Sequence, residues 1–217
     1  MSVAPPRAAR GPLLLLDIGG YTSFLQAVAT AHADDAFADG AIPPAYAMLS
    51  DLLDGLVAGI VPPTTLAKLE GDAVFAYATE ADTIPRGSEL IPWLRARYAA
   101  FQARLDEARR IWTCSCDACA RIDVLDLKAV LHHGVFVLGG IAGREELSGA
   151  QVVLAHRLLK NRAAAVAGTT AYALLTDAAV EALEVGTEGG RPLVEHVEHY
   201  PPVACLVYDL RTGDSAA

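Results

Sequence analysis

Apolar and polar positions along this chain switch between two periods, and the switches mark its elements. Residues 13–17 open with an unbroken aliphatic run ending in Asp17, the mark of a buried strand. Gly19-Gly20 break the run, and Thr22 or Ser23 would cap a helix towards Ala33. A polar, Asp-rich loop follows. Pro43-Pro44 then open a helix whose apolar positions (Tyr46, Leu49, Leu52, Leu53, Leu56, Val57, Ile60) recur at the 3.6 period, and Pro62-Pro63 stop it. Short strands are predicted over 65–69 and 73–78, joined by the tight turn Glu70-Gly71-Asp72. A long amphipathic helix spans 89–112. Beyond a cysteine cluster, 125–131 and 135–141 read as a hairpin around His132-His133-Gly134. A helix over 151–165, one or two short helices to Leu183, and a hairpin of 193–200 and 203–210 across Pro201-Pro202 close the pattern.

Hairpins interspersed with helices predict an α+β sandwich, a mainly antiparallel sheet covered by helices. Residues 1–12, rich in Pro, Ala and Arg, read as a disordered tail. Residues 13–211 then form a single domain with a Cys-rich insert near 113–122.

Composition changes this picture in three places. At 53% hydrophobic and 20% charged, the 217 residues hold ample material for a core. No stretch approaches the roughly 20 apolar residues of a membrane span, and no h-region with a cleavage-site pattern precedes the first strand, so a cytoplasmic protein is expected. A net charge of −9 argues against a nucleic-acid backbone as partner. It leaves open a small anionic ligand, which responds to local charge and bound metal.

Two aspartates stand beside glycine at the ends of buried strands. Asp17 follows four leucines and precedes Ile18-Gly19-Gly20, and Asp72 follows Glu70-Gly71. An aspartate beside such an apolar run is costly unless paired or metal-bound. Two carboxylates meeting at one sheet edge would make a hard oxygen site for Mg²⁺ or Mn²⁺, with phosphate oxygens completing the shell. Read alone, the same residues also fit a helix cap at Asp17 and a plain turn at Asp72.

Four motifs in order move the balance. Leu16-Asp17-Ile18-Gly19-Gly20-Tyr21-Thr22 resembles the first metal motif of the class III adenylate and guanylate cyclases. Lys68-Leu69-Glu70-Gly71-Asp72 resembles the hairpin that carries their second metal aspartate. His132-His133-Gly134-Val135 is similar to their His-x-Gly strand pair, and the run from Gly149 to Leu158 is similar to their arginine-bearing helix. The resemblance covers about residues 13–210, and it points to a divergent bacterial branch with a Cys-rich insert.

The resemblance implies a cyclase-like sandwich with a ferredoxin-like core, and a metal-dependent conversion of ATP to 3′,5′-cyclic AMP and pyrophosphate. It implies that Asp17 and Asp72, with the Ile18 backbone, hold two Mg²⁺ or Mn²⁺ ions, and that the amides of Ile18, Gly19, Gly20 and Tyr21, ahead of the helix at Thr22, cradle the triphosphate. Lys68 and Glu146 fall where the family reads adenine, a pair that favours ATP over GTP, although Glu145 and Asp177 are also candidate acids. Arg157 matches the arginine that stabilises charge on phosphorus. The family's ribose-orienting asparagine is Val153 here, and Asn161, one turn beyond Arg157 by helical count, is a candidate replacement. Metal and base-reading residues of one site come from different subunits in that family, which implies a head-to-tail homodimer.

Cys114, Cys116 and Cys119 could hold Zn²⁺ with a fourth ligand from Cys205, a histidine or a second subunit; reversible redox chemistry and unliganded thiols are the alternatives. His132 and His133 point to opposite faces by strand alternation, and His132 reads as a core histidine with a satisfied backbone partner. Three functions therefore compete: an ATP-using cyclase, a cyclase-fold module that binds nucleotide with little or no turnover, and a zinc-stabilised interaction protein.

Overall fold

Thirteen residues of β1, Arg7–Gly19, run through the middle of one sheet and organise it. The computed structural model describes residues 5–33 and 42–211; the Asp-rich loop and the first four residues lie outside that range. Strands β2 (Thr65–Glu70), β3 (Ala73–Tyr77), β4 (Asp126–Ile141), β6 (Tyr172–Thr176), β7 (Arg191–Glu195) and β8 (Val203–Asp209) complete the order β2-β3-β1-β4-β6-β8-β7, with β5 (Arg144–Ser148) paired to β4. Only the β4–β6 pair is parallel among the described strands.

Strand alternation divides the core in two. Leu14, Leu16 and Ile18 pack with helices α1 (Tyr21–Ala31), α2 (Pro44–Ile60) and α3 (Leu90–Ile111). Leu13, Leu15, Phe75 and Tyr77 face the other way, towards α5 (Ala150–Arg157) and α6 (Ala163–Ala167). This is the expected α+β sandwich.

Four local expectations are corrected. The first strand starts at Arg7, not 13, because Arg7 to Pro12 pair with Leu138 to His133 of the long β4. For the same reason no turn forms at His132-His133-Gly134; β4 runs straight through, and the chain reverses at Ala142-Gly143, both at positive φ. Gly134 serves packing instead, since a Cβ there would lie 2.7 Å from Gln151 Cγ of α5. The helix expected over 151–165 breaks after Arg157 into α5 and α6. Finally, the apolar run Tyr172–Thr176, expected within helix, is the fully buried strand β6, whose last residue Thr176 accepts a hydrogen bond from Ala179 N to cap α7 (Asp177–Ala182). An apolar run as short as Tyr172 to Leu175 carries no period that separates strand from helix.

His132 is buried and satisfied, but its partners are the Gln151 and Thr176 side chains and not the expected backbone group. Its Nε2 donates to Gln151 Oε1 at 2.7 Å, which leaves Nδ1 to accept from the Thr176 hydroxyl at 2.9 Å. Burial lowers its pKa, so the ring stays neutral and ties β4 to α5 and β6.

Candidate functional site

The antiparallel register places Asp17 of β1 opposite Ala73 of β3, and the Ile18 amide donates to the Asp72 carbonyl at 3.1 Å. Asp17 and Asp72 thus meet at one end of adjacent strands. Burial, and then the Asp17 carboxylate, push the Asp72 carboxyl above its ordinary range. Asp17 itself is only 8% exposed. Its partner is Lys128 of β4, whose Nζ lies 2.6 Å from Asp17 Oδ2 and also donates to the Leu159 carbonyl at 3.4 Å.

Beyond Asp17 the chain turns through Gly20 at φ 80° into α1. A Cβ at Gly20 would lie 2.3 Å from the Val124 carbonyl oxygen, so only glycine fits this contact as well as this φ. Neither Thr22 nor Ser23 caps the helix: Ser23 Oγ donates to the Gly20 carbonyl, and no side chain among the described residues caps the first turn. The amides at the start of α1 are therefore left to solvent or an anion. The Ile18 amide is not among them, being spent on Asp72.

Of the other expected residues, Lys68 of β2 and Arg157 of α5 line a cleft of about 650 Å³, beside Glu70, Val153, His156 and Glu198 of the β7–β8 connection; Glu146 does not line it. Lys68 Nζ is 2.8 Å from Glu70 Oε1. The Glu70 hydrogen bond chiefly raises the lysine pKa, with Glu146 adding to it, so Glu146 lies within electrostatic reach of Lys68. Glu145 is engaged elsewhere, accepting from the Tyr77 hydroxyl at 2.8 Å. Arg157 makes a loose pair with Glu198 at 3.5 Å, exposed enough to be worth little. Among the described residues, neither Asp17 nor Asp72 lines this cleft.

Val153 is 47% exposed in the cleft and offers no polar atom. Asn161 does not replace it. The helix ends before Asn161, whose Nδ2 donates to the Leu158 carbonyl while Oδ1 accepts from Ala163 N and the Tyr172 hydroxyl. Two unexpected side chains join the cleft and the carboxylates, Lys128 and His156. His156 Nε2 comes within 2.9 Å of Glu70 Oε2, outside hydrogen-bonding geometry, and its ring stands edge-on to Phe75 at 4.6 Å. A lone lysine inside the apolar run of β4 is the signal that marks Lys128.

On the far side of α1, the three clustered cysteines meet a histidine. His32, the residue that ends α1, directs Nε2 at Cys116 Sγ (3.3 Å), Cys119 Sγ (3.4 Å) and Cys114 Sγ (3.6 Å). The Cys119 amide donates to Cys116 Sγ at 3.3 Å and pulls that thiol down to about 7. Cys205 is remote, buried in β8. His32 stands 82 residues before Cys114, too far for spacing to reveal it.

The family described as "Protein of unknown function (DUF2652)" matches residues 49–167, more than half of the chain. This chain belongs to that family. A relative of this DUF2652 protein, "Uncharacterized protein Rv2561/Rv2562" of Mycobacterium tuberculosis (strain ATCC 25618 / H37Rv), is 31% identical over 150 residues, 69% of this chain and 68% of the relative. Among solved structures, the adenylyl cyclase CyaB from P. aeruginosa superposes with a TM-score of 0.64 at 15% identity, over 95% of this chain and 97% of that one. The guanylyl cyclase Cya2 gives 0.57 at 16% identity, over 94% and 93%. The guanylate cyclase domain of RhGC from Catenaria anguillulae, in complex with GTP, gives 0.55 at 15% identity, over 93% and 97%. The DUF2652 chain therefore has the fold of adenylyl and guanylyl cyclase catalytic domains. No helix among the described residues is long and apolar enough to cross a membrane.

Proposed function

We propose that this chain is a metal-dependent nucleotidyl cyclase, converting ATP to 3′,5′-cyclic AMP and pyrophosphate in the cytoplasm as a head-to-tail homodimer. The observation that carries this is the meeting of Asp17 and Asp72 beside the uncapped start of α1, within a cyclase fold. The raised pKa of Asp72 fits a divalent cation, since two crowded carboxylates are relieved by positive charge. Mg²⁺ or Mn²⁺ held by Asp17, Asp72 and the Ile18 backbone would lower the pKa of a ribose hydroxyl and neutralise phosphate charge.

The chain's own groups supply the rest. Amides at Gly20, Tyr21 and Thr22 receive triphosphate oxygens at the positive end of α1. The ribose 3′-oxygen attacks the α-phosphorus in line, and the bond to the bridging oxygen of the β-phosphate breaks. Pyrophosphate leaves with that electron pair, and the hydroxyl proton passes to solvent. Arg157 stabilises the charge that builds on the α-phosphoryl oxygens. Lys68 donates to adenine N1 while Glu146 accepts from the 6-amino group.

Two subunits share each site in this reading. Among the described residues, neither Asp17 nor Asp72 of the same chain lines the cleft holding Lys68 and Arg157, which supports pairing across a two-fold axis. Cyclic product should form with wild-type protein, vanish in Asp17→Asn and Arg157→Ala, and return to about a quarter of wild type when the two variants are mixed, since half the dimers are then mixed with one intact site each. Absence of cyclic product from the wild type refutes the enzyme.

Two observations favour a second reading, a nucleotide-binding regulatory module with little or no turnover. Lys128 already neutralises Asp17, and Val153 leaves the ribose without a polar contact. Tight nucleotide binding without product would select it.

A further inference from the structure

The cysteine cluster and His32 bring four metal-ligating side chains together. Cys114 and Cys116 follow α3, and Cys119 sits in the short helix α4 (Asp117–Ala120). His32 comes from the end of α1. One ligand atom from each of the four residues lies within 4.8 Å of every other. A tetrahedral zinc with Zn–S of about 2.3 Å and Zn–N of about 2.0–2.1 Å has S···N edges of about 3.5 Å. The three observed Nε2···Sγ distances, 3.3, 3.4 and 3.6 Å, match those edges. All three thiols are free of disulfides. The Cys119 amide bonded to Cys116 Sγ supports a thiolate, as outer-shell donors do around metal ligands.

We propose that His32, Cys114, Cys116 and Cys119 hold a structural Zn²⁺. Three thiolates and an imidazole are soft to borderline ligands in the number that closes a tetrahedron, leaving no open position for a reacting water. The ion's place in the fold shows what it does. The segment from Cys114 to Val124 touches α1 at both ends, through His32 at its C-terminus and through Val124 against Gly20 at its N-terminus. Zinc therefore fixes α1 along its length, and with it the Gly19-Gly20 turn. The assignment stands apart from the cyclase reading, because it needs neither nucleotide nor turnover.

The test is metal analysis of full-length wild-type protein, purified under reducing conditions without a metal-affinity step and supplied with stoichiometric Zn²⁺. We expect about one zinc per chain, four alkylatable thiols after denaturation and chelation, and a tetrahedral thiolate spectrum when Co²⁺ replaces Zn²⁺. His32→Ala and Cys116→Ser should each weaken zinc at least about tenfold, whereas Cys205→Ala should retain it. Zinc-free protein, a disulfide among Cys114, Cys116 and Cys119, or full zinc affinity in His32→Ala would overturn the assignment. Because stoichiometry and thiol count are read on the wild type, a variant that fails to fold does not rescue the proposal.

Discussion

Lys128 Nζ lies 2.6 Å from Asp17 Oδ2, so the carboxylate at the centre of the proposed metal site already has a cation of the protein's own. Both side chains are largely buried, at 23% and 11% exposure. Removing one partner of such a pair leaves an uncompensated charge, at a cost of about 3 kcal/mol. Lys128→Met should therefore lower Tm by roughly 6–12 °C without added divalent ion. Mn²⁺ should then raise the variant's Tm more than the wild type's, because the ion takes over the lysine's charge. Equal Mn²⁺ responses in a thermal-shift titration would mean that no ion reaches Asp17.

Asp72 gives a pH dependence with a definite sign. Its folded pKa is raised, first by burial and then by Asp17. A raised carboxyl contributes stability below its unfolded pKa and loses it as pH rises through the folded value. Asp72→Asn should thus be more stable than wild type at pH 7 without added divalent ion, and the difference should vanish towards pH 3. Saturating Mn²⁺ should reverse the order at pH 7. Thermal melts of both proteins across this range check it.

His132 carries the opposite dependence. Burial holds its pKa below 6.5, so the unfolded chain takes up the proton first as pH falls. Stability contributed by the neutral ring is present above that value and is lost as pH falls through the folded pKa. His132→Gln should flatten the dependence of Tm on pH between 7 and 5. An unchanged slope would show that the ring does not titrate on unfolding.

Much of this site was legible in the chain, and what was missed has identifiable physical causes. Asp17 and Asp72 declare themselves because a carboxylate beside an aliphatic run and a glycine is costly without a partner. The partner Lys128 and the ligand His32 were not foreseen: a lone lysine in an apolar run marks Lys128 without naming its partner, and His32 arrives from the end of α1 through tertiary packing. Asn161 misled because helical count assumes an unbroken helix, whereas the chain turns after Arg157 and spends that amide on Ala163 and Leu158. The straight run of β4 through His132-His133-Gly134 was hidden for a similar reason. Glycine there makes room for Gln151 instead of making a turn.

Val153 and Asn161 now separate cleanly. Asn161→Ala should cost about 1 kcal/mol of stability, as loss of a helix-start acceptor does, and leave the rate per folded molecule unchanged. Val153→Asn should raise cyclic product formation by about tenfold or more, because it restores a polar contact to a ribose that must stay in line. Rates normalised to folded protein decide the matter. A severe rate loss in Asn161→Ala would return that residue to the site.

The most direct measurement is the product formed by pure protein with Mn²⁺ and each of the four nucleoside triphosphates, read by mass spectrometry beside Asp17→Asn and Asp72→Asn. We expect 3′,5′-cyclic AMP and pyrophosphate in equal amounts, more from ATP than from GTP, with both variants falling by at least about 10²-fold. No cyclic product from any nucleotide, or equal product from wild type and both variants, would contradict the account.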